Sequence, residues 1–274
     1  MTLRYGVLGW PVEHSRSPAM HQAAFQALGL DAEYERVPVE PGALPEAIHE
    51  LRESFAGANV TVPHKETVRL LLDEVEPAAA AIGAVNTIVR VGPLLLGANT
   101  DAMGLVRSLE EEEVPLEGIK AVILGAGGAA RAAAYGLQAQ GANVVVGARR
   151  IAQAEALTQD LGGTPCDLGD VGDAFADAAL VVQATSATLG ASAEAFADAL
   201  PLDALPSDAS VVDLVYIPRE TTVLRKARAR GLRTVDGTGM LIHQGALAFE
   251  RWTQRAAPVD VMRAALFRSL DDSH

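Results

Sequence analysis

The sequence predicts an α/β protein of two domains, and three observations carry that prediction. Apolar runs alternate with helix-period patterns along the whole chain, as expected for strands feeding helices in largely parallel sheets. A glycine-rich turn follows one apolar run directly and opens a helical stretch. The length, 274 residues, suits two domains at about 150 residues each.

Residues 3–9 read as a buried strand and 10–17 as a loop. Ser17-Pro18 opens a helix, with Ser17 suited to the N-cap and Pro18 to the first helical position. That helix stops at Gly29. Residues 57–62 form a second strand, ended by Pro63 and followed by a helix. Residues 85–91 and 94–97 flank Gly92-Pro93 as a hairpin. A new unit begins near residue 102. Residues 103–113 are helical and end in an acidic run, 110–113, that reads as a solvated face. Strands are expected at 120–124, 143–147, 180–184, 211–215 and 232–235, with helices between them. Two helices, about 240–253 and 259–270, close the chain. The Ala-, Asp- and Pro-rich stretch 189–208 reads as a surface excursion.

Composition narrows the function. Lys+Arg is 22 and Asp+Glu is 35, a formal net charge of −13. That balance disfavours nucleic acid and anionic membrane surfaces as partners, so any positive charge that binds an anion must be local. One cysteine, Cys166, allows neither an intramolecular disulfide nor a cysteine metal cage. His14 and His21 lack metal-ligand spacing and read as packing or hydrogen-bonding residues, so no metal is expected. Nothing near Met1 resembles a signal peptide and no apolar run is long enough to span a bilayer, which predicts a cytoplasmic protein.

Gly125-Ala126-Gly127-Gly128-Ala129-Ala130 matches G-x-G-x-x-G/A in its strand–turn–helix setting. The first glycine permits the tight turn, the second lets backbone approach a pyrophosphate, and the small third residue lets helix and strand pack closely. The helix N-terminus then offers amide donors and a positive dipole end. An NAD site places a carboxylate at the end of the next strand; here that strand ends in Ala148-Arg149-Arg150, with no carboxylate before Glu155. Two guanidiniums suit a 2′-phosphate, which favours NADP; the alternative is two solvated surface arginines.

In the first half, Ser15 and Ser17 flank Arg16 ahead of a helix and can point two hydroxyls at one carboxylate, although Ser17 alone also reads as an N-cap. Asn59 and Thr61 share one strand face, and Lys65 follows the strand's C-terminal end, where open α/β sheets bind ligands.

Taken together, His14-Ser15-Arg16-Ser17-Pro18, Asn59 through Lys65, Gly83 through Thr87, Asn99-Thr100-Asp101, the Gly125 turn, Asp213-Leu214-Val215-Tyr216 and Gly239 through Ala246 resemble shikimate dehydrogenase. The resemblance runs in order over nearly the whole chain. It implies reversible NADPH-linked reduction of 3-dehydroshikimate to shikimate, a small-molecule substrate, and a monomer or homodimer. It implies an N-terminal α/β substrate domain, 1–101 plus 238–274, and a Rossmann-like NADP-binding domain, 102–237, with the active site between them. Lys65 and Asp101 match the family's catalytic pair. Ser15 and Ser17 would hold the substrate carboxylate, and Asn59, Thr61, Asn86, Tyr216 and Gln244 would line the rest of the pocket. Gly125, Ala126, Gly127, Gly128, Ala129, Arg149 and Arg150 would bind NADP, with Leu214 and Gly237 nearby. This chain departs from the family at Ala148-Arg149-Arg150, where Asn-Arg-Thr is usual, at Gln183-Ala184-Thr185 for Asn-Ala-Thr, and at Arg16. A quinate/shikimate enzyme with relaxed NAD use and a non-catalytic NADP-binding protein are the alternatives.

Overall fold

Two six-stranded sheets organise the computed structural model, which describes residues 2–272. The chain divides into two units, Met1–Thr100 with Ile242–His274, and Asp101–Leu241. Asp101, expected to close the first unit, opens the second, and Thr238 through Leu241, expected in the first, cluster with the second.

The first unit is a mixed sheet in the order β2-β1-β3-β5-β6-β4. Its strands are β1 (Leu3–Gly9), β2 (Ala32–Pro38), β3 (Gly57–Val60), β4 (Glu74–Val75), β5 (Thr87–Val91) and β6 (Leu94–Ala98). β1 runs parallel to β2 and β3, β5 and β6 form the antiparallel hairpin, and β5 also runs antiparallel to β3. The helices are α1 (Ser17–Ala27), α2 (Leu44–Ser54) and α3 (Pro77–Ile82). α2 buries Leu44, Ile48 and Leu51, one stripe at helical spacing. Their neighbours in the core are Leu8, Phe55, Val60 and Ile88. β2 and α2 are not among the elements expected above, although α2 carries a helical stripe. β2 is an edge strand reading Ala-Glu-Tyr-Glu-Arg-Val-Pro, whose Glu35 pairs with Arg4 across the ladder at 2.6 Å. No α-helix directly follows Pro63; that segment is a turn and the short 3-10 helix Val68–Leu71.

The second unit is wholly parallel, in the order β12-β11-β10-β7-β8-β9. Its strands are β7 (Lys120–Leu124), β8 (Asn143–Ala148), β9 (Thr164–Asp167), β10 (Leu180–Gln183), β11 (Ser210–Asp213) and β12 (Arg233–Val235). The helices are α4 (Asp101–Glu111), α5 (Gly128–Ala139), α6 (Ile151–Leu161), α7 (Val171–Phe175), α8 (Ala193–Ala199) and α9 (Thr222–Ala229). α10 (Thr238–Thr253) begins in this unit, and α11 (Val259–Asp271) lies in the first.

Strand periodicity splits the central residues between two cores. Ala121, Ile123, Leu180 and Val182 pack on one side with Leu105, Ala133 and Leu137. Val122, Leu124 and Val181 pack on the other with Phe175, Val223 and Leu224. Burial on both faces explains why these strands read as continuous apolar runs. β9 lacks that signature because it is a partly exposed edge strand, Thr-Pro-Cys-Asp, and an edge is where proline is tolerated. Cys166 lies on it, half-buried, and burial raises its thiol pKa. The stretch 189–208 is no mere excursion: Ala193, Ala197, Leu200, Leu202 and Leu205 are buried. Among the described residues, no helix is long and apolar enough to cross a membrane.

Candidate active site

The first unit gathers uncharged polar side chains at the ends of its strands. Asn59, buried near the end of β3, accepts from the Tyr34 hydroxyl through Oδ1 at 2.7 Å. Its Nδ2 reaches the Asn86 carbonyl and Thr87 Oγ1, both at 3.2 Å. Asn86, just before β5, donates to Thr100 Oγ1 at 2.9 Å and to Gln244 Oε1 at 3.3 Å. Its own Oδ1 accepts from the Thr100 backbone N–H at 2.7 Å and from Thr87 Oγ1 at 3.0 Å. Three expected substrate residues, Asn59, Asn86 and Gln244, therefore join one buried cluster. The same bonds pin Thr100, the residue before Asp101, and Asn99 adds a bond to the Ala84 carbonyl at 2.9 Å.

Lys65 stands in the turn after β3, half-buried. His64 beside it is buried, with Nε2 2.6 Å from the Val39 carbonyl and its backbone N–H on the Thr61 carbonyl at 3.0 Å. The Lys65 carbonyl accepts from Val85 N–H at 2.8 Å. The backbone is thus held on both sides of the ammonium-bearing residue. Half-buried Thr61 ties its N–H to the Leu8 carbonyl at 2.8 Å.

Ser17 is not the N-cap that its sequence position suggests. The cap is Arg16, with no side-chain cap bond, and Ser17 is the first helical residue. Ser17 N–H meets Ser15 Oγ at 3.4 Å, and the Ser15 carbonyl receives the Arg36 guanidinium at 2.8 and 3.1 Å. The two serines are thereby neighbours at the start of α1, where helix amides favour an anion.

His21 behaves as packing. It is fully buried and stacks on Tyr34 with ring centroids 4.4 Å apart. Among the described residues its ring nitrogens have no hydrogen-bond partner. Burial pushes its pKa down to about 3, against the opposing effect of the nearby Asn59 side chain, so the ring is neutral near pH 7.

In the second unit, the glycine turn sits at the sheet's topological switch point, where α/β folds bind ligands. Gly125 has φ +117°, a conformation that favours glycine. A Cβ there would also stand 2.7 Å from Thr185 Cγ2. Gly127 caps α5 with no side-chain bond, and a Cβ on it would meet nothing within 4 Å. Ala126, Gly128 and Ala129 are half-buried around it. Open space before uncapped helix amides fits the pyrophosphate of a dinucleotide.

Arg149 and Arg150 are exposed just past β8. Arg150 Nε donates to Gln153 Oε1 at 3.0 Å. A carboxylate that chain order conceals, Asp167, stands in register with Ala148 on β9, but its Oδ1 accepts from Gly169 N–H at 2.8 Å. Leu214 follows β11, and a Cβ on Gly237 would strike its carbonyl oxygen. Half-buried Tyr216 and buried Asp101 also lie in the second unit.

The cluster includes residues not assigned from sequence. Thr87 and Thr100 belong to two Asn-Thr dipeptides bracketing the β5–β6 hairpin, a repeat legible in the letters. Tyr34 carries no such signal, because it lies on edge strand β2, whose Glu- and Arg-bearing sequence does not read as a strand. Among the described residues, no group of three or more His, Cys, Asp or Glu side chains is arranged to hold a metal.

Comparison with known proteins follows this geometry. Residues 7–88 match the shikimate dehydrogenase substrate binding domain, 108–236 the shikimate/quinate 5-dehydrogenase domain, and 237–267 the shikimate 5′-dehydrogenase C-terminal domain. The NADP(+) shikimate dehydrogenase of Symbiobacterium thermophilum is 46% identical, the match covering 97% of this chain and 94% of that one. The Thermus thermophilus shikimate 5-dehydrogenase in complex with NADP(H) and shikimate superposes with TM-score 0.90 at 41% identity, covering 98% of this chain and 100% of that one. The Corynebacterium glutamicum quinate dehydrogenase in complex with NAD superposes with TM-score 0.84 at 34% identity, covering 97% and 99%.

Proposed function

The chain belongs to the shikimate dehydrogenase family, and we propose that its first unit holds the substrate while the second holds the cofactor. The chain is an NADP-dependent oxidoreductase that interconverts 3-dehydroshikimate and shikimate, a step of chorismate and aromatic amino-acid biosynthesis. NADPH, when bound, supplies the hydride. Gly125, Ala126, Gly127, Gly128 and Ala129 would cradle its pyrophosphate, and Arg149 with Arg150 would pair with its 2′-phosphate. Leu214 and Gly237 would border the nicotinamide side.

On the first unit, Ser15 and Ser17 anchor the substrate carboxylate at the start of α1. Asn59, Thr61, Asn86 and Gln244 present amides and a hydroxyl to the ring hydroxyls, and Tyr216 is proposed as a further substrate residue. Reduction of the carbonyl develops negative charge on its oxygen. The Lys65 ammonium stabilises that charge and delivers a proton, and in oxidation it receives one. Asp101 is proposed as the second member of the catalytic pair. The observation that supports this assignment most directly is the neutral hydrogen-bonded cluster: Asn86 and Gln244, 158 residues apart in the chain, meet at 3.3 Å. A polyhydroxylated ring needs such groups, because an amide both donates and accepts. The partner is thus a small molecule, and neither nucleic acid nor a membrane is required. The reading makes the protein cytoplasmic, acting as a monomer or homodimer.

Initial rates with shikimate and with quinate, each with NADP+ and with NAD+, test the assignment. The largest kcat/KM is expected for shikimate with NADP+. A larger value for quinate with NAD+ would overturn the cofactor and substrate choices together.

A further inference from the structure

The second unit buries a polar cluster that no step above uses. Gln183 ends β10 and Asp213 ends β11, in direct register on neighbouring parallel strands, and both side chains are fully buried. Gln183 Nε2 lies 3.3 Å from Asp213 Oδ1, 3.1 Å from Thr188 Oγ1 and 2.8 Å from the Thr185 carbonyl. Its Oε1 accepts from both the N–H and the hydroxyl of Thr185 at 2.7 Å. Asp213 Oδ1 accepts from Val215 N–H at 3.0 Å, and Oδ2 from the Thr221 hydroxyl at 2.7 Å.

These bonds run outward, past the strand ends, into loops. The Thr185 they hold is the residue whose methyl lies against Gly125. The Val215 they hold follows Leu214, whose carbonyl lies against Gly237. The amide–carboxylate contact therefore holds two loop segments, Thr185 and Leu214–Val215, that lie against two glycines, Gly125 and Gly237.

We propose that Gln183 and Asp213 are a positioning pair for the dinucleotide, holding the Thr185 and Leu214–Val215 segments in their binding arrangement before the cofactor arrives. The proposal rests on the reading of the Gly125 turn as the cofactor site. Segments already ordered spare binding the entropy of ordering them, so loosening the pair weakens affinity without removing any contact to the cofactor. The Gln183 amide reaches Asp213, Thr188 and Thr185 together.

Two variants test the proposal by NADPH fluorescence titration, with thermal unfolding and amide hydrogen exchange measured on the same samples. Gln183→Leu keeps the volume and removes every amide bond; its NADPH Kd is expected to rise about tenfold or more. Exchange at residues 185–188 and 214–217 should accelerate. Thr185→Val removes one hydroxyl at nearly constant shape; a rise of about threefold in Kd is expected, with little change in Tm. Should Gln183→Leu fail to fold, the Thr185→Val titration decides. Unchanged NADPH affinity in folded variants, whatever their Tm, would overturn the positioning role. Arg149→Ala serves as the control. If it weakens NADPH while the other two do not, only the positioning role fails. If the unaltered chain binds no NADPH, the cofactor reading itself fails and the positioning role with it.

Discussion

Both units bury polar clusters at strand ends, but the two clusters differ in charge. In the first unit every side chain of the cluster is neutral: Tyr34, Asn59, Asn86, Thr87, Thr100 and Gln244. In the second a carboxylate, Asp213, sits at the centre. A neutral amide or hydroxyl both donates and accepts, so a ligand's hydroxyls can enter its network in either role. A carboxylate only accepts; it gathers donors and holds what bears them. The contrast teaches a division of labour: the neutral cluster suits contact with a hydroxylated substrate, and the charged one suits fixing backbone. Burial raises the Asp213 pKa, and the donors from Val215 and Thr221 oppose that rise.

If the labour is divided in this way, loss of chemistry and loss of cofactor binding are separable. The largest effect is expected from Lys65→Ala, which should lower kcat by about 10²- to 10⁴-fold, a range typical of a lost proton donor. NADPH affinity should stay close to that of the unaltered chain. Near-normal turnover would remove Lys65 from the mechanism, and a parallel loss of NADPH binding would break the division. The reciprocal change is Arg149→Gln with Arg150→Gln. NADPH should weaken by about 10²-fold while NADH changes little, because each charge-assisted bond to phosphate contributes about 1.5 kcal/mol or more. Equal losses for the two cofactors would show that the guanidiniums do not read the 2′-phosphate.

Acid titration separates the units in another way. His21 has a folded pKa of about 3, against about 6.5 for a free histidine. Between those values the unfolded chain takes up a proton that the native state refuses. Stability attributable to His21 is therefore complete above about pH 6.5 and falls by about 1.4 kcal/mol per pH unit below it. Asp213 acts with the opposite sign. Its folded pKa is raised, so just above the ordinary carboxylate range the native state keeps a proton that the unfolded chain has lost, and stability falls as pH rises through that window. Urea unfolding of His21→Phe at pH 7, 6 and 5 should show a shallower loss on acidification than the unaltered chain. Identical slopes would exclude His21 as the source.

The smallest effect belongs to Ser15→Ala. A carboxylate contact remote from the C–H bond contributes alike to ground and transition states, so KM for shikimate should rise about three- to tenfold with kcat nearly unchanged. A fall in kcat alone would contradict the anchoring role and place Ser15 nearer the chemistry.

The central parallel strands of the second unit were legible because each side of a doubly covered sheet demands apolar residues, and β7, β8, β10 and β11 supply them at their central positions. The edge strands β2 and β9 were not, since an edge tolerates Glu, Arg and Pro and loses the pattern. Ser17 shows a different failure. Its residue type and the following proline fit an N-cap, yet the loop delivers Arg16 to that position. Capping preference is worth about 1 kcal/mol, little enough for tertiary contacts to override.

By itself the sequence determined the fold class, the glycine turn with its following helix, and the residue types that the chemistry requires. These depend on short-range sterics and on the period of apolar residues, which linear order preserves. The tertiary structure alone decided which polar groups complete one another: Tyr34 on Asn59, Gln244 on Asn86, Thr221 on Asp213. A buried hydrogen bond requires two partners within about 3 Å. The chain brings such partners together only after its strands and helices have packed, and spacing along the sequence does not record that distance.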